Sequence, residues 1–213
     1  MNTSTRPDIL RLHELRFAYP GEPPLNFGPT LAIGNGITQV YGDTGSGKST
    51  LLKLIAGELT GSGQLTLSGV RLDANREAYR RQLFFVEAPT DAFDQLTGRE
   101  CTTQLRDGDE AFDEGLWQAA VEGFALPPHI DKKMFMLSTG TKRKVWLAAA
   151  LASGRPLVLL DEPTGGLDAA SIRCLWRLLS DRVPSAGRAV VVASSERIDD
   201  RVPLAKVIEL PLA

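Results

Sequence analysis

Cysteine and histidine are scarce in this chain, two of each among 213 residues, and their placement removes several chemistries. Cys101 and Cys174 each stand alone, with no second Cys or His at metal-ligand spacing, so neither a zinc site nor a disulfide framework is expected and both read as reduced packing residues. Long hydrophobic runs are missing too. The longest, Val145 to Ala152, is far short of the ~18 residues needed to cross a bilayer, and the N-terminus carries charge where a signal peptide needs an apolar run. The expected location is the cytosol. No sign of charge dominates: 24 basic residues against 26 acidic leave a net charge of -2, spread along the chain, so nucleic acid is not expected as a partner. Nor does any repeat with a period of tens of residues suggest a solenoid.

What is present is ordinary globular material, 43% hydrophobic and 23% charged, long enough for one domain with an inserted lobe. Leu10, Leu12, Leu15 and Phe17 read as a strand ending in the turn Tyr19-Pro20-Gly21, and Pro20 to Pro29 as a loop. Ile37 to Tyr41 is a second strand that runs into a glycine-rich turn, and Lys48 to Ala56 then has helical spacing. Leu65 and Leu67 alternate as in a hairpin, and Leu83 to Val86 reads as a compact strand. Phe112, Trp117, Ala120, Val121 and Phe124 recur at helical spacing and suggest a separate helical lobe. A helix over Thr141 to Ala152 precedes Leu157 to Leu160, an apolar run short enough to be a central parallel strand covered on both faces. Ile172, Leu175, Trp176 and Leu179 mark a further helix stopped near Pro184, and Ala189 to Ala193 is another buried strand. Alternating β and α elements with such strands predict a mostly parallel α/β sheet.

The junction at residues 42–50 carries the strongest chemical signal. Gly42-Asp43-Thr44-Gly45-Ser46-Gly47-Lys48-Ser49 fits a phosphate loop: the glycines let main-chain N–H groups turn around phosphate oxygens, and the following helix offers its positive end. Lys48 would meet the β and γ phosphates and Ser49 would hold Mg²⁺. Asp161 and Glu162, at the C-terminal end of the run Leu157 to Leu160, sit where open α/β sheets bind ligands. Asp161 is a candidate for the metal and Glu162 for the residue that polarises the attacking water; the alternative is a pair of acids capping the loop before Pro163. Leu137-Ser138-Thr139-Gly140-Thr141 precedes the helix of Lys142 to Ala152, whose first turn holds Lys142, Arg143 and Lys144. Positive charge there opposes the macrodipole, which suits a docked anion or a merely solvated face.

This set resembles the ATP-binding cassette (ABC) ATPases along nearly the whole chain. The match comprises the phosphate loop at Gly42 to Thr50, the signature at Leu137 to Thr141, Asp161-Glu162-Pro163-Thr164, and Gly166-Leu167-Asp168. The resemblance implies a P-loop fold of ABC type: a mostly parallel core, an N-terminal antiparallel β subdomain, and an inserted helical subdomain at about 88–140, in one domain over 1–213. It implies ATP and Mg²⁺ as ligands and hydrolysis of ATP. Tyr19 matches the aromatic that stacks on adenine, or else is a strand-end aromatic. Two cassettes would meet head to tail, alike or different, giving Ser138, Thr139 and Gly140 a role in trans and explaining the positive helix start by a phosphate arriving from the partner. Asp168 would sit at the seam or be an N-cap.

Two positions depart from the family pattern. Ala88 stands where a Gln is implied, with Glu87 as the neighbour that would replace it, and Ser194-Ser195-Glu196 stands where a His is implied. A Ser195 hydroxyl can hydrogen-bond a phosphate oxygen but brings no imidazole, which predicts slow turnover. The resulting expectation is an energising subunit at the inner face of the cell membrane, driving a separate integral membrane transporter subunit. The segment Phe124 to Leu137 resembles that of export-type cassettes, with Met134, Phe135 and Met136 either docking a partner helix or filling the lobe core. The alternatives are a soluble ATP-dependent switch with little turnover, and a small-molecule kinase, which leaves Leu137 to Thr141 unexplained.

Overall fold

A computed structural model describes residues 8–88, 90–182 and 187–211. The chain opens with strands β1 (Leu10–Phe17), β2 (Leu25–Asn26), β3 (Thr30–Ile33) and β4 (Gly36–Tyr41), followed by helix α1 (Lys48–Ile55). Then come β5 (Ser62–Leu67), β6 (Val70–Arg71), α2 (Arg76–Arg80), β7 (Leu83–Phe84), α3 (Gly98–Leu105) and α4 (Glu114–Gly123). After a 3-10 turn at Met134–Met136 the chain ends with α5 (Thr139–Ala152), β8 (Leu157–Asp161), α6 (Ala169–Arg182), β9 (Ala189–Ser194) and β10 (Leu204–Glu209).

One sheet runs β10-β4-β9-β8-β7 with every neighbouring pair parallel. Its central strands show why their sequences are continuously apolar. Alternate side chains of a strand point to opposite faces. In β8, Val158 and Leu160 pack with α4, α5 and α6, while Leu157 and Leu159 pack on the side of α1 and the second sheet. The residues of β9 divide the same way, Val190 and Val192 against Ala189, Val191 and Ala193. Each fully buried Leu or Val of this layer contributes about 1.5–3 kcal/mol.

The second sheet is antiparallel, with β1 between β2 and β3 on one side and β5 on the other, and β6 beyond. The step from Leu12 to Leu15 in β1 skips a beat of the alternation, because Glu14 adopts φ 49 and the pairing with β5 shifts between His13 and Arg16. This bulge turns Leu15 back into the core. Gly63 opposite is required: a Cβ there would lie 2.5 Å from the Glu14 carbonyl oxygen.

Two expectations need adjustment. The strand expected over Leu83 to Val86 pairs only at Leu83 and Phe84; Phe85 and Val86 pack against opposite core clusters without joining the ladder. The stretch Pro20 to Pro29 contains β2 as well as loop. The helix stop near Pro184 lies outside the described residues. Among the described residues no helix is long and apolar enough to cross a membrane.

Candidate functional site

The C-terminal ends of β4, β8 and β9 are side by side, because β4 pairs with β9 and β9 with β8 in parallel register. Tyr41 ends β4, and Gly42 to Gly47 turn the chain into α1. Gly45 and Gly47 hold φ values of 84 and 95, which L side chains rarely adopt. At Gly42 the constraint is space: a Cβ would lie 2.6 Å from the Leu210 carbonyl oxygen. Helix α1 has no side-chain cap at Gly47, so its first N–H groups are left for another acceptor. Lys48, 5% exposed, donates from Nζ to the carbonyls of Gly42 at 2.8 Å and Asp43 at 3.0 Å and lies 3.6 Å from Glu162 Oε1. The turn borders a cleft of about 760 Å³, lined by Thr44, Gly45, Gly47, Lys48, Ser49, Thr50, Glu162 and Ser195 on one side and by Tyr19, Pro23 and Leu25 on the other. The Tyr19 ring sits edge-on to Phe17 at 4.8 Å between centroids, and its hydroxyl is 3.3 Å from Thr50 Oγ1.

Asp161 ends β8, with the Ser49 side chain beside it. Burial pushes its carboxyl up from the ordinary range, a shift the neighbouring Ser49 hydroxyl opposes. Its Oδ1 is buried without a hydrogen-bond partner, an arrangement that costs free energy unless something else binds there. Ser46 Oγ is buried and unpartnered in the same way. A hydroxyl beside an oxygen-only acceptor suits a hard cation, so Ser49 and Asp161 fit Mg²⁺.

Glu162 follows with φ 41, a left-handed conformation that costs on the order of 1 kcal/mol for a residue with a side chain. It is held there by its N–H to the Ala193 carbonyl at 2.9 Å and by Gly165 N–H donating back to the Glu162 carbonyl at 3.1 Å. Glu162 Oε1 accepts from the Ser195 main-chain N–H at 2.9 Å.

The signature segment lies elsewhere, at the start of α5. Ser138 caps that helix, its Oγ accepting from Thr141 N–H at 3.2 Å; Thr139 is exposed, and Gly140 is pressed so close to α6's approach that a Cβ would lie 2.5 Å from the Gly166 carbonyl oxygen. The cations behind it are all engaged within the chain. Lys142 pairs with Asp94 at 2.5 Å, Arg143 donates to the carbonyls of Glu162 at 2.8 Å and Gly165 at 2.6 Å, and Lys144 pairs with Asp168 at 2.7 Å. These charges tie α5 to the loops around the acidic pair, so they are not a merely solvated face. Asp168 is an N-cap of α6, accepting from Ser171 N–H at 2.9 Å and from the Ser171 hydroxyl at 2.9 Å. Lys144, with the Ser171 bonds, holds its carboxyl well below the usual carboxylate range.

Residues 31–165 match the protein family described as ABC transporter. This chain belongs to the ABC transporter family. It is 34% identical over 197 residues to the human retinal-specific phospholipid-transporting ATPase ABCA4, an alignment covering 88% of this chain and 8% of that protein. The chain thus spans less than a tenth of that relative's length. Among solved structures, the ATP-binding subunit of an ABC transporter superposes with a TM-score of 0.74 at 23% identity, covering 87% of this chain and 79% of that one. A dimeric ATP-binding cassette in a post-hydrolysis state with ADP and Pi gives a TM-score of 0.70 at 23% identity, covering 88% of each chain. These structural likenesses establish the P-loop ABC-type fold.

Within this ABC domain, the two departures from the family pattern have different outcomes. Ala88 packs against the helical core cluster, and Glu87 is ion-paired with Lys53 of α1. At the end of β9, Ser195 lines the cleft and meets Glu162 through its main-chain N–H. The apolar stretch before the signature is divided: Met134 is in the core, whereas Phe135 and Met136 are 54% and 62% exposed. Sequence reasoning missed Arg143 as a clamp on the acidic turn, for which a guanidinium five residues past Ser138 gives no local signal. It also missed Gln39, a buried amide in β4 whose partners lie at residues 194–198, far away in the sequence.

Proposed function

We propose that this chain is the ATP-binding and ATP-hydrolysing cassette of an ABC transporter. The observation that carries this reading is the Asp161 Oδ1, buried without a partner beside Ser49 and at the edge of an uncapped helix start. In this reading the main-chain N–H groups around Gly45 and Gly47 enclose the phosphates, Lys48 adds charge, and Tyr19 faces adenine. Bound Mg²⁺, held by Ser49 and Asp161, would supply positive charge to the β and γ phosphates. Glu162 orients the attacking water and accepts its proton, with Oε1 held by Ser195 N–H. Ser138, Thr139, Gly140 and Asp168 serve a second cassette's nucleotide across a head-to-tail dimer, a role favoured by the exposure of Ser138, Thr139 and Asp168 at one end of α5 and α6. Residues at about 88–140 form the inserted helical subdomain, and Phe135 and Met136 offer it an apolar contact for a membrane subunit at the cytoplasmic face.

Calorimetry with MgATP and release of free phosphate test the enzymatic part. No heat on folded protein ends the case. Recovery of an integral membrane protein on affinity purification from detergent-solubilised membranes tests the transporter part; recovery of none removes it. A second reading, a nucleotide-driven switch with little turnover, is favoured by Ala88 and by the absence of an imidazole among Ser194, Ser195 and Glu196. Tight ATP binding with negligible phosphate release and no membrane association would select it.

A further inference from the structure

Gln39 occupies the middle of β4 at 1% exposure, in a sheet built mostly from apolar side chains. Its Nε2 donates to Ser194 Oγ at 2.9 Å and to the Glu196 carbonyl at 2.8 Å, and its Oε1 accepts from Ile198 N–H at 3.5 Å. Ser194 Oγ in turn donates to the same Glu196 carbonyl. One amide therefore engages residues 194, 196 and 198, the turn by which the chain leaves β9. An amide inside a sheet is tolerated only when its polar atoms are paired. Gln39 meets that condition while the turn keeps this shape, so the sheet interior specifies the turn.

Between the engaged residues lies Ser195, whose N–H donates to Glu162 Oε1 at 2.9 Å. A carboxylate has two oxygens, and a fixed donor on one of them sets the rotation of the group and leaves Oε2 for water. The donor is main chain, so its direction is set by the turn and not by a rotamer. Among the described residues, the side chain that reaches this turn from the sheet interior in several hydrogen bonds is that of Gln39.

We propose that Gln39 is a positioning residue for hydrolysis: through the turn 194–198 it presents the Ser195 N–H to Glu162, and so orients the carboxylate that activates water. The proposal rests on the ATPase reading given above. Gln39 touches no nucleotide in this scheme, so its loss acts on the chemical step and spares binding.

The test uses the full chain and the variants Gln39→Met, which keeps an unbranched side chain and removes the amide, and Ser195→Pro, which removes the N–H itself. Phosphate release is measured per ATP-binding site counted by calorimetry, so that unfolded protein does not enter. Gln39→Met should lower kcat about tenfold while KM for MgATP stays within about twofold, since a misplaced catalytic group can cost up to about 100-fold. A purely structural role would change site number and melting temperature and leave kcat per site intact. The double variant should be no slower than Ser195→Pro alone, because both cut the same path. Ser194→Ala cuts the latch from the turn side and gives the same direction of effect if Gln39→Met does not fold. Unchanged kcat per site in whichever of these folds, a raised KM with kcat intact, or multiplicative losses in the double variant would overturn the proposal and leave the ATPase reading standing. A wild-type protein that neither binds nor hydrolyses MgATP overturns both.

Discussion

In the proposed function, Lys48 and Glu162 are the residues at which single substitutions should separate binding from chemistry. The Lys48 ammonium sits at 5% exposure, bonded to the carbonyls of the loop that would surround phosphate. Lys48→Ala removes both the charge and the tie that shapes the loop, and should weaken MgATP binding by about 100-fold or more, equivalent to about 3 kcal/mol for a charged hydrogen-bonding group. Calorimetry reads this directly. Glu162→Gln keeps the shape and an oxygen able to accept from Ser195 N–H, but cannot take a proton. Phosphate release should fall by about 100-fold or more while ATP affinity changes little; unchanged release would take Glu162 out of the base role. These residues were readable because their motif is local in sequence: glycines, a lysine and a hydroxyl within nine positions, and two acids after an apolar run. Gln39 and Arg143 were not, since each acts on a segment more than 15 positions away.

At the scale of elements, what could be read from sequence followed burial. The central strands β8 and β9 and helices α1, α4 and α5 have enough apolar residues in phase to declare themselves. The short helices do not: α2 has five residues and one buried side chain, Tyr79. Helix α3 buries only Gly98, Cys101 and Thr102, which gives no apolar stripe, yet its start carries a legible device. Thr97 Oγ1 accepts from Glu100 N–H at 3.1 Å while Glu100 Oε2 accepts from Thr97 N–H at 2.8 Å, a reciprocal capping box. Thr97→Ala should therefore destabilise the protein by about 1 kcal/mol in chemical denaturation, with ATP affinity preserved. The N-terminal part of α5 teaches the opposite lesson. Lys142, Arg143 and Lys144 look from sequence like a site for an anion, but loops distant in the chain bring Asp94, Asp168 and the carbonyls of Glu162 and Gly165 to them. Charge in a sequence shows what must be balanced, not by what.

For the whole molecule, the head-to-tail pairing proposed above would give the phosphate loop at one end of the parallel sheet its complement in a second chain's signature at the start of α5. MgATP should therefore convert Glu162→Gln from monomer to dimer in light scattering, whereas a dimer that forms equally without nucleotide would contradict nucleotide-dependent pairing. Removal of divalent cation with EDTA should abolish phosphate release and reverse that pairing, because Ser49 and the unpartnered Asp161 Oδ1 then have no ion to share with phosphate.

The sequence by itself determined the alternation of strands and helices, the buried character of the central sheet, and the location of the phosphate loop and acidic pair, because hydrophobic periodicity and backbone permissiveness are encoded within a few neighbouring residues. Only the tertiary structure decided that the α5 cations are occupied within the chain, that Glu87 serves Lys53, and that Ser195 meets Glu162 through its main chain. Each of these is a choice among partners distant in sequence, and such choices are made by parallel strand pairing and helix packing, which bring the ends of β4, β8 and β9 together.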